Sequence, residues 1–221
     1  MSMMLLQTEL QGNFVIHPDH FGDERGYFSP FFVKKNVAPL GFGEIVQENR
    51  SLSSKGVVRG LHFQKGETAQ AKIVEVLSGK AIDVIVDMRP ESKTYGQWVA
   101  CLLTPPNYSE AEAEREPFGF GEHEYFHRGN TWTSFLVPRG FAHGFVALED
   151  NTVFQYMVDN DYRPDKEDGI LWNDPMLRIP WQKWFDYYDI THPILSDKDV
   201  DRHTLFEWGQ EQKRQKAKGV E

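Results

Sequence analysis

Short apolar runs separated by turn residues dominate the middle of the chain. The segment "AKIVEVLSGKAIDVIVDMRPESKTYGQWVACLLT" contains three such runs, with clear alternation in "IDVIVDM" and turns at "SGK" and "RPESKTYG". The segment "TWTSFLVPRGFAHGFVALEDNTVFQYMVDN" continues the pattern around turns at "PRG" and "LEDN". Alternation over short runs is typical of β-strands, and no long amphipathic segments lie between these runs. The pattern therefore predicts an all-β fold, an antiparallel sandwich or barrel, rather than an α/β fold.

Two stretches differ from this pattern. Residues 105–131 are rich in Pro, Gly and Glu, which predicts a long inserted loop with one helical turn at "SEAEAER". Residues 204–221 are polar and mixed in charge, which predicts a C-terminal helix that frays as a solvated tail. The chain has no internal repeat and no segment that suggests a second domain. We therefore expect one domain over residues 1–221.

Composition narrows the function classes. The chain has 221 residues, of which 40% are hydrophobic and 14% aromatic, and its net charge is −9. This charge disfavours nucleic-acid binding, although a few converging arginines can still bind an anion. No apolar run approaches the ~18 residues of a membrane span, and no signal peptide is evident. The single cysteine, Cys101, allows no internal disulfide, which fits a reducing cytoplasm.

The first candidate for chemistry is His62, in "RGLHFQ". On a strand, His62 faces one side while Leu61 and Phe63 face the other. We expect the apolar pair to pack outward against a second sheet and His62 to face the interior. Lys72 and Tyr156 lie in two other alternating strands, so the three side chains could meet in one cavity. Spacing alone leaves open that His62 is a hydrogen-bonded core histidine.

A metal site is the second interpretation of the histidines. Metal sites in β-barrels usually gather two or three His with a carboxylate, often as a pair at i, i+2 on one strand. The chain contains no H-x-H, although His143 in "VPRGFAHGF" resembles the histidine of the second cupin motif. The ligand set is one short, so we expect no metal and no cofactor. A metal-dependent cupin enzyme, such as a dioxygenase or sugar-phosphate isomerase, stays open as an alternative, as does a non-catalytic module that binds sugar nucleotides.

The motifs "RGLHFQ", "AQAK", "VPRGFAHGF" and "ILWNDP" strongly resemble those of the dTDP-4-dehydrorhamnose 3,5-epimerase family. "FGDERGYF" and "PILSDKD" extend the resemblance from about residue 14 to residue 202, leaving out the insertion and the tail. The resemblance implies a metal-independent cupin-type jelly roll with a few short peripheral helices, usually a homodimer. Such enzymes epimerise a nucleotide-linked 4-keto-6-deoxyhexose, here for a deoxysugar of a surface polysaccharide or a glycosylated metabolite.

The resemblance assigns four catalytic roles. His62 matches the general base and Asp199, the last aspartate of "LSDKD", its dyad partner. Tyr156 matches the general acid and Lys72 the lysine beside the keto oxygen. The chemistry fits, because a proton next to a ketone is acidic only when a cation or donor stabilises the enolate oxygen. A neutral imidazole can take that proton near neutral pH, and a phenol can return one to the opposite face.

The resemblance also assigns positions that contact sugar or nucleotide. Tyr162 matches the tyrosine that stacks on the nucleobase, and arginines can hold a diphosphate bidentately. The full set is Arg25, Phe28, Gln47, Asn49, Arg59, His143, Tyr162, Glu167 and Lys198.

One position departs from the family. Pro30 stands where relatives usually have a glutamate that contacts the thymine ring, and proline offers no side-chain acceptor. We hypothesise that CDP is a candidate nucleotide beside dTDP. Whether C3 alone or both C3 and C5 are inverted stays open.

Overall fold

The computed structural model describes residues 3–106, 108, 110–116, 118, 122–126 and 132–218. In chain order the strands are β1 (Met4–Gln7), β2 (Phe14–His17), β3 (Phe21–Asp23), β4 (Gly26–Phe28), β5 (Gln47–Ser53), β6 (Val58–Gln64), β7 (Lys72–Ser78), β8 (Ala81–Asp87), β9 (Trp98–Leu103), β10 (Glu124–Tyr125), β11 (Ser134–Val137), β12 (Phe141–Ala147), β13 (Thr152–Val158) and β14 (Glu167–Gly169). The helices are α1 (Lys34–Val37), α2 (Glu110–Ala113), α3 (Trp181–Tyr187), α4 (Asp197–Val200) and α5 (Leu205–Ala217). In the part of the chain described, no helix is both long and apolar enough to cross a membrane.

The strands form two six-stranded sheets and a separate β3–β4 hairpin. The first sheet has the order β1-β2-β11-β7-β13-β5, and the second has β10-β9-β8-β12-β6-β14. Among the described strands, only β10 pairs in parallel, with β9. The six apolar runs of the sequence are β7, β8, β9, β11, β12 and β13. The prediction of an all-β, predominantly antiparallel fold is therefore confirmed.

The core between the two sheets is built from the alternating residues of their inner faces. Phe154 of the first sheet stacks on Phe145 of the second, with ring centroids 4.0 Å apart. Val74 and Ile85 belong to the same buried cluster. Each such side chain stabilises the fold by about 1.5–3 kcal/mol through removal of apolar surface from water. Because the sheets meet over this layer, their polar inward-facing residues are also brought face to face.

The outer face of the second sheet is covered by the C-terminal helices. Leu61 and Phe63 point outward, as expected, but they pack in a cluster with Trp184 of α3 and Trp208 of α5. The rings of Phe63 and Trp208 meet edge to face at 5.1 Å. The expected partner, a second sheet, was wrong because that sheet lies on the opposite face, toward which His62 points.

The tail forms the predicted helix, but its first turns are not solvated. Leu205 and Trp208, at positions i and i+3 of α5, are both buried. Thr204 and Glu207 form a reciprocal capping box that fixes the start of the helix. The expectation of a solvated tail is therefore wrong for these turns, since two apolar side chains one turn apart suffice to dock the helix.

The described part of the 105–131 insertion contains the predicted helical turn, α2, and the short strand β10. Its anchor is the buried carboxylate of Glu116, which accepts hydrogen bonds from the hydroxyl of Tyr188 at 2.5 Å and from Lys80 Nζ at 2.8 Å. Residues 107, 109, 117, 119–121 and 127–131 of the predicted loop lie outside the described residues.

Candidate active site

A cavity of about 370 Å³ lies between the two sheets. Residues from both sheets line it, which confirms that side chains from β6, β7 and β13 converge. The lining includes seven residues singled out from the sequence, Gln47, Asn49, His62, Lys72, Tyr156, Tyr162 and Glu167. It also includes three that were missed, Phe63, Gln64 and Gln70.

His62 is paired with Asp199, a buried residue of α4. The imidazole Nε2 lies 2.6 Å from Asp199 Oδ1, an ion-pair distance but not a well-aligned hydrogen bond. The same oxygen accepts from the backbone N–H of Gly60 at 3.3 Å, and Oδ2 accepts from the Ser196 hydroxyl at 2.6 Å. Burial raises the pKa of Asp199, but the contacts with His62 and Ser196 outweigh it and hold that pKa at about 2. The carboxylate beside His62 is therefore ionised at neutral pH.

Two backbone features bring α4 against β6. Ile194, just before α4, pairs with the start of β6 through two backbone hydrogen bonds. The N–H of Val58 donates to the Ile194 carbonyl at 2.9 Å, and the N–H of Ile194 donates to the Gly56 carbonyl at 2.8 Å. Gly60 has φ +118°, and a Cβ there would lie 2.6 Å from the His143 carbonyl. Only glycine allows β6 to approach β12 this closely. The glycine of "RGLHFQ" thus sets the position of the histidine two residues later.

A second imidazole–carboxylate pair lies deeper between the sheets. His143 faces His62 across the β6–β12 pairing, and its Nε2 lies 2.7 Å from Oδ2 of the buried Asp83. Burial raises the pKa of Asp83 and lowers that of His143, while the attraction within the pair opposes both shifts. Sequence reasoning missed Asp83, although an acidic residue at an inward position of the apolar strand "AIDVIVD" was a usable signal.

Lys72 faces these groups from the first sheet. Burial lowers the pKa of its amine from 10.5 to about 8, although the charges of Asp83 and Glu167 act to raise it. Its Nζ lies 5.8 Å from the centroid of the Tyr156 ring. Burial also raises the pKa of Tyr156, with an opposing effect of Arg59. The cavity therefore holds a poorly solvated cation beside a protonated phenol.

The rim of the cavity carries a hydrogen-bonded chain. Glu167 accepts from the hydroxyl of Tyr162 at 2.5 Å and from Arg202 at 3.0 Å. Tyr162 keeps 44% of its surface exposed, so its ring is available for stacking. Burial raises the pKa of Glu167, but the hydrogen bonds from Tyr162 and Arg202 outweigh it and lower that pKa. The charges of His62 and, to a smaller extent, of Lys198 on α4 lower it further. Arg202 was also missed from the sequence.

Five of the nine predicted binding residues do not line this cavity. Arg59, His143 and Lys198 each lie near a residue that does, whereas Arg25 and Phe28 lie apart from it. Arg25 and Phe28 lie on the β3–β4 hairpin and do not line it. The Arg25 side chain is 84% exposed and pairs with Asp23 in the same hairpin. Phe28 is 63% exposed. Within one copy of the chain, Arg25 and Phe28 therefore do not lie with the other predicted site residues.

The described residues contain no group of three or more His, Cys, Asp or Glu arranged to hold a metal ion. Both histidines near the cavity use Nε2 to contact a carboxylate, Asp199 for His62 and Asp83 for His143.

Comparison with known proteins identifies the family. The sequence model described as dTDP-4-dehydrorhamnose 3,5-epimerase matches residues 7–110 and 120–207. The Escherichia coli K12 dTDP-4-dehydrorhamnose 3,5-epimerase is 38% identical over 207 residues, which cover 93% of this chain and 96% of that protein.

Solved structures agree in fold, which is a cupin-type jelly roll. A dTDP-6-deoxy-D-glucose-3,5-epimerase from Legionella pneumophila, in complex with dTDP-4-keto-L-rhamnose, is 35% identical with a TM-score of 0.73 and covers 93% of this chain and 94% of its own. A 3'-monoepimerase from Streptomyces bikiniensis, in complex with dTDP-quinovose, is 26% identical with a TM-score of 0.72 and covers 97% and 98%. Since the family model and the Escherichia coli relative both span most of its length, the chain belongs to the dTDP-4-dehydrorhamnose 3,5-epimerase family of isomerases.

Proposed function

We propose that the protein epimerises a dTDP-linked 4-keto-6-deoxyhexose at C3 and C5, in deoxysugar biosynthesis. The observation that carries the proposal is the convergence of His62, paired with Asp199, with Lys72 and Tyr156 around one cavity. The names of the curated relatives support the substrate class.

The opposition of the two sheets suits an inversion. His62 enters the cavity from the second sheet, while Lys72 and Tyr156 enter from the first. With Nε2 toward Asp199, the neutral imidazole carries its lone pair on Nδ1. That nitrogen takes the proton next to the ketone, and the C–H electron pair moves into an enolate whose oxygen is stabilised by Lys72.

Tyr156 then donates its phenolic proton to the same carbon from the other side, which inverts the centre. The imidazolium is stabilised by ionised Asp199 until it and the phenolate exchange protons with solvent. A repeat at the second carbon completes a 3,5-epimerisation.

The nucleotide is held at the rim. We assign stacking on the base to the exposed ring of Tyr162. We assign contact with the diphosphate to Arg59, an exposed residue whose charge lowers the pKa of Tyr156 against the effect of burial. The side chain of Pro30 cannot accept a hydrogen bond from a thymine, so the choice between dTDP and CDP is tested directly. Calorimetry is expected to give tighter binding of dTDP, and tighter binding of CDP would overturn the assignment.

The hairpin supports a homodimer. Phe21, Tyr27 and Phe28 expose about half or more of their surfaces there, at 52%, 48% and 63%. Arg25 on the same hairpin cannot contribute to its own chain's cavity as placed. We assign both features to a second copy, whose cavity the hairpin completes.

Complementation between inactive variants tests this assembly. A mixed dimer combines one Arg25→Ala chain with one His62→Ala chain. If the hairpin serves the partner, the cavity of the Arg25→Ala chain keeps its His62 and receives an unmutated Arg25, so this site is intact. The other site lacks both side chains. Random mixing then restores about a quarter of wild-type activity, from half the dimers with one intact site each. No recovery in mixtures that exchange subunits would refute the assignment.

The central experiment is incubation of 4-keto-6-deoxyhexose nucleotides with the enzyme in deuterated water. Label at both C3 and C5 supports the proposal, label at C3 alone indicates a 3-epimerase, and no label refutes the reaction. His62→Ala is expected to abolish exchange at every position. Elemental analysis of the active protein separates this mechanism from a metal-dependent one, which a stoichiometric transition metal required for exchange would favour.

A further inference from the structure

The carboxylate of Asp199 is held at both of its oxygens. Oδ1 faces His62 and accepts from Gly60, while Oδ2 accepts from the Ser196 hydroxyl at 2.6 Å. The terminal torsion of an aspartate is broad, so contacts at one oxygen leave the carboxylate plane free to turn. Contacts at both oxygens fix that plane, and with it the oxygen that faces the imidazole.

Ser196 occupies the N-cap position of α4 but does not cap the helix. A serine there usually accepts a hydrogen bond from a backbone N–H of the first turn. Ser196 makes no such bond with its side chain, and its hydroxyl donates instead to the carboxylate three residues later.

A second helix of the chain, α5, also has a hydroxyl residue at its N-cap and a carboxylate three residues later, and it serves as a comparison. Thr204, the N-cap of α5, contacts the carboxylate of Glu207 at 2.8 Å but also accepts from the Glu207 backbone N–H at 3.2 Å. The Glu207 carboxylate in turn accepts from the backbone N–H of Thr204 at 2.8 Å. Thr204 therefore stabilises a helix end, whereas the hydroxyl of Ser196 serves Asp199 alone.

We propose that Ser196 is a positioning residue for proton transfer by His62. By anchoring Oδ2 of Asp199, it keeps Oδ1 against Nε2, which selects the imidazole tautomer with the proton on Nε2 and the accepting lone pair on Nδ1. Ser196 does not line the cavity and acts through Asp199 rather than on the sugar. The inference rests on the proposed function, in which His62 is the base.

A matched set of variants isolates the hydroxyl. Ser196→Thr keeps the hydroxyl and adds a methyl group. Ser196→Val has the shape of the Thr variant, with a second methyl group in place of the hydroxyl. Ser196 is exposed, so neither change disturbs the core. Thr204→Val is the control, because it removes an N-cap hydroxyl of the same spacing that lies outside the site.

Two measurements decide the role. Nitrogen-15 NMR of the neutral His62 ring in the free protein reports the tautomer, and deuterium incorporation into the nucleotide sugar reports kcat and KM. We expect Ser196→Val to populate both tautomers and to lower kcat about tenfold, with KM changed less than about twofold. Ser196→Thr and Thr204→Val are expected to match the wild type.

A Ser196→Val enzyme with the wild-type tautomer and kcat would overturn the inference, as would equal losses in the Thr and Val variants. Absence of exchange in the wild type would refute the proposed function instead. Even then the NMR comparison would decide whether Ser196 sets the tautomer.

Discussion

Replacing Lys72 by methionine is expected to stabilise the fold while it destroys activity. The amine is buried, and burial lowers its pKa from 10.5 to about 8, against the attraction of Asp83 and Glu167. Methionine has a stem of similar length and no charge, so it fits the space without the desolvation penalty.

The magnitude follows from the two pKa values. The difference between 10.5 and about 8 corresponds to about 3 kcal/mol of unfavourable free energy for the ionised amine at pH 7. Because the pKa in the folded protein lies below its ordinary value, this penalty is full below pH 8 and fades as the pH rises from 8 to 10.5. Lys72→Met should therefore raise the free energy of unfolding by about 3 kcal/mol at pH 7 and by about half as much at pH 9.5.

Urea unfolding at the two pH values measures this change, and thermal unfolding at pH 7 should show an increase in Tm of roughly 6–12 °C. Exchange in deuterated water should fall by about 10²–10³ in kcat, the usual loss when one oxyanion donor is removed. A Lys72→Met protein that is no more stable at pH 7, or whose gain does not shrink at pH 9.5, would refute the reasoning.

Lys80→Met is the matched control. Lys80 is also largely buried, but its ion pairs with Glu116 at 2.8 Å and Glu149 at 3.1 Å raise its pKa despite burial. The same substitution at Lys80 removes the partner of the buried Glu116 carboxylate, and we expect it to lower the free energy of unfolding by about 1–3 kcal/mol. If the free energy of unfolding rises in Lys72→Met and falls in Lys80→Met, the gain at Lys72 comes from relief of desolvation and not from a general benefit of methionine.

Three further predictions concern other groups. Tyr156→Phe should retain proton exchange but lose inversion by at least ~100-fold, which separate measurements of deuterium uptake and product configuration would show. Burial raises the pKa of Glu75 from its ordinary 4.5 to about 7, against hydrogen bonds from Trp132 and Gln155. Ionisation of this carboxyl therefore destabilises the fold increasingly as the pH rises from 4.5 to 7. Glu75→Gln should therefore gain up to about 3 kcal/mol relative to the wild type between pH 5 and pH 8 in urea unfolding, and a constant difference would contradict this. Arg202→Met leaves Glu167 without its ion pair, and we expect KM for the nucleotide sugar to rise about tenfold while kcat changes little; an unchanged KM would contradict this role.

The strands were predictable because each buries one face, and the alternation of apolar and polar residues in the sequence indicates which face is buried. That signal placed His62, Lys72 and Tyr156 on inward faces before the resemblance gave them roles. It could not identify what covers an outward face, since Leu61 and Phe63 show the same alternation whether they meet a sheet or a helix. The docking of α5 was hidden for a related reason: only Leu205 and Trp208 in a long polar helix carry it.

The parts of the site that were missed depend on tertiary contacts rather than on a local pattern. Arg202 and Ser196 contribute only because the chain returns to β6 near its C-terminal end. The hairpin position of Arg25 depends on how separate elements pack, which no spacing in the sequence encodes. Asp83 is the exception, because a charged residue at an inward position of an apolar strand must find a partner, and His143 is that partner.

The two imidazole–carboxylate pairs differ in burial, and this difference bears on the proposal that His62 is the base. His62 and His143 face each other across β6 and β12, and each has Nε2 within 2.7 Å of an aspartate. The His62 side chain keeps 31% of its surface exposed, and the pKa of its partner Asp199 is held at about 2. His143 keeps only 8%, its own pKa is lowered, and burial raises the pKa of its partner Asp83. An imidazolium formed at His62 therefore meets an ionised carboxylate, whereas one formed at His143 would be disfavoured by its own desolvation. This difference in burial supports the proposal that His62, rather than His143, is the base, in agreement with the motif that contains His62.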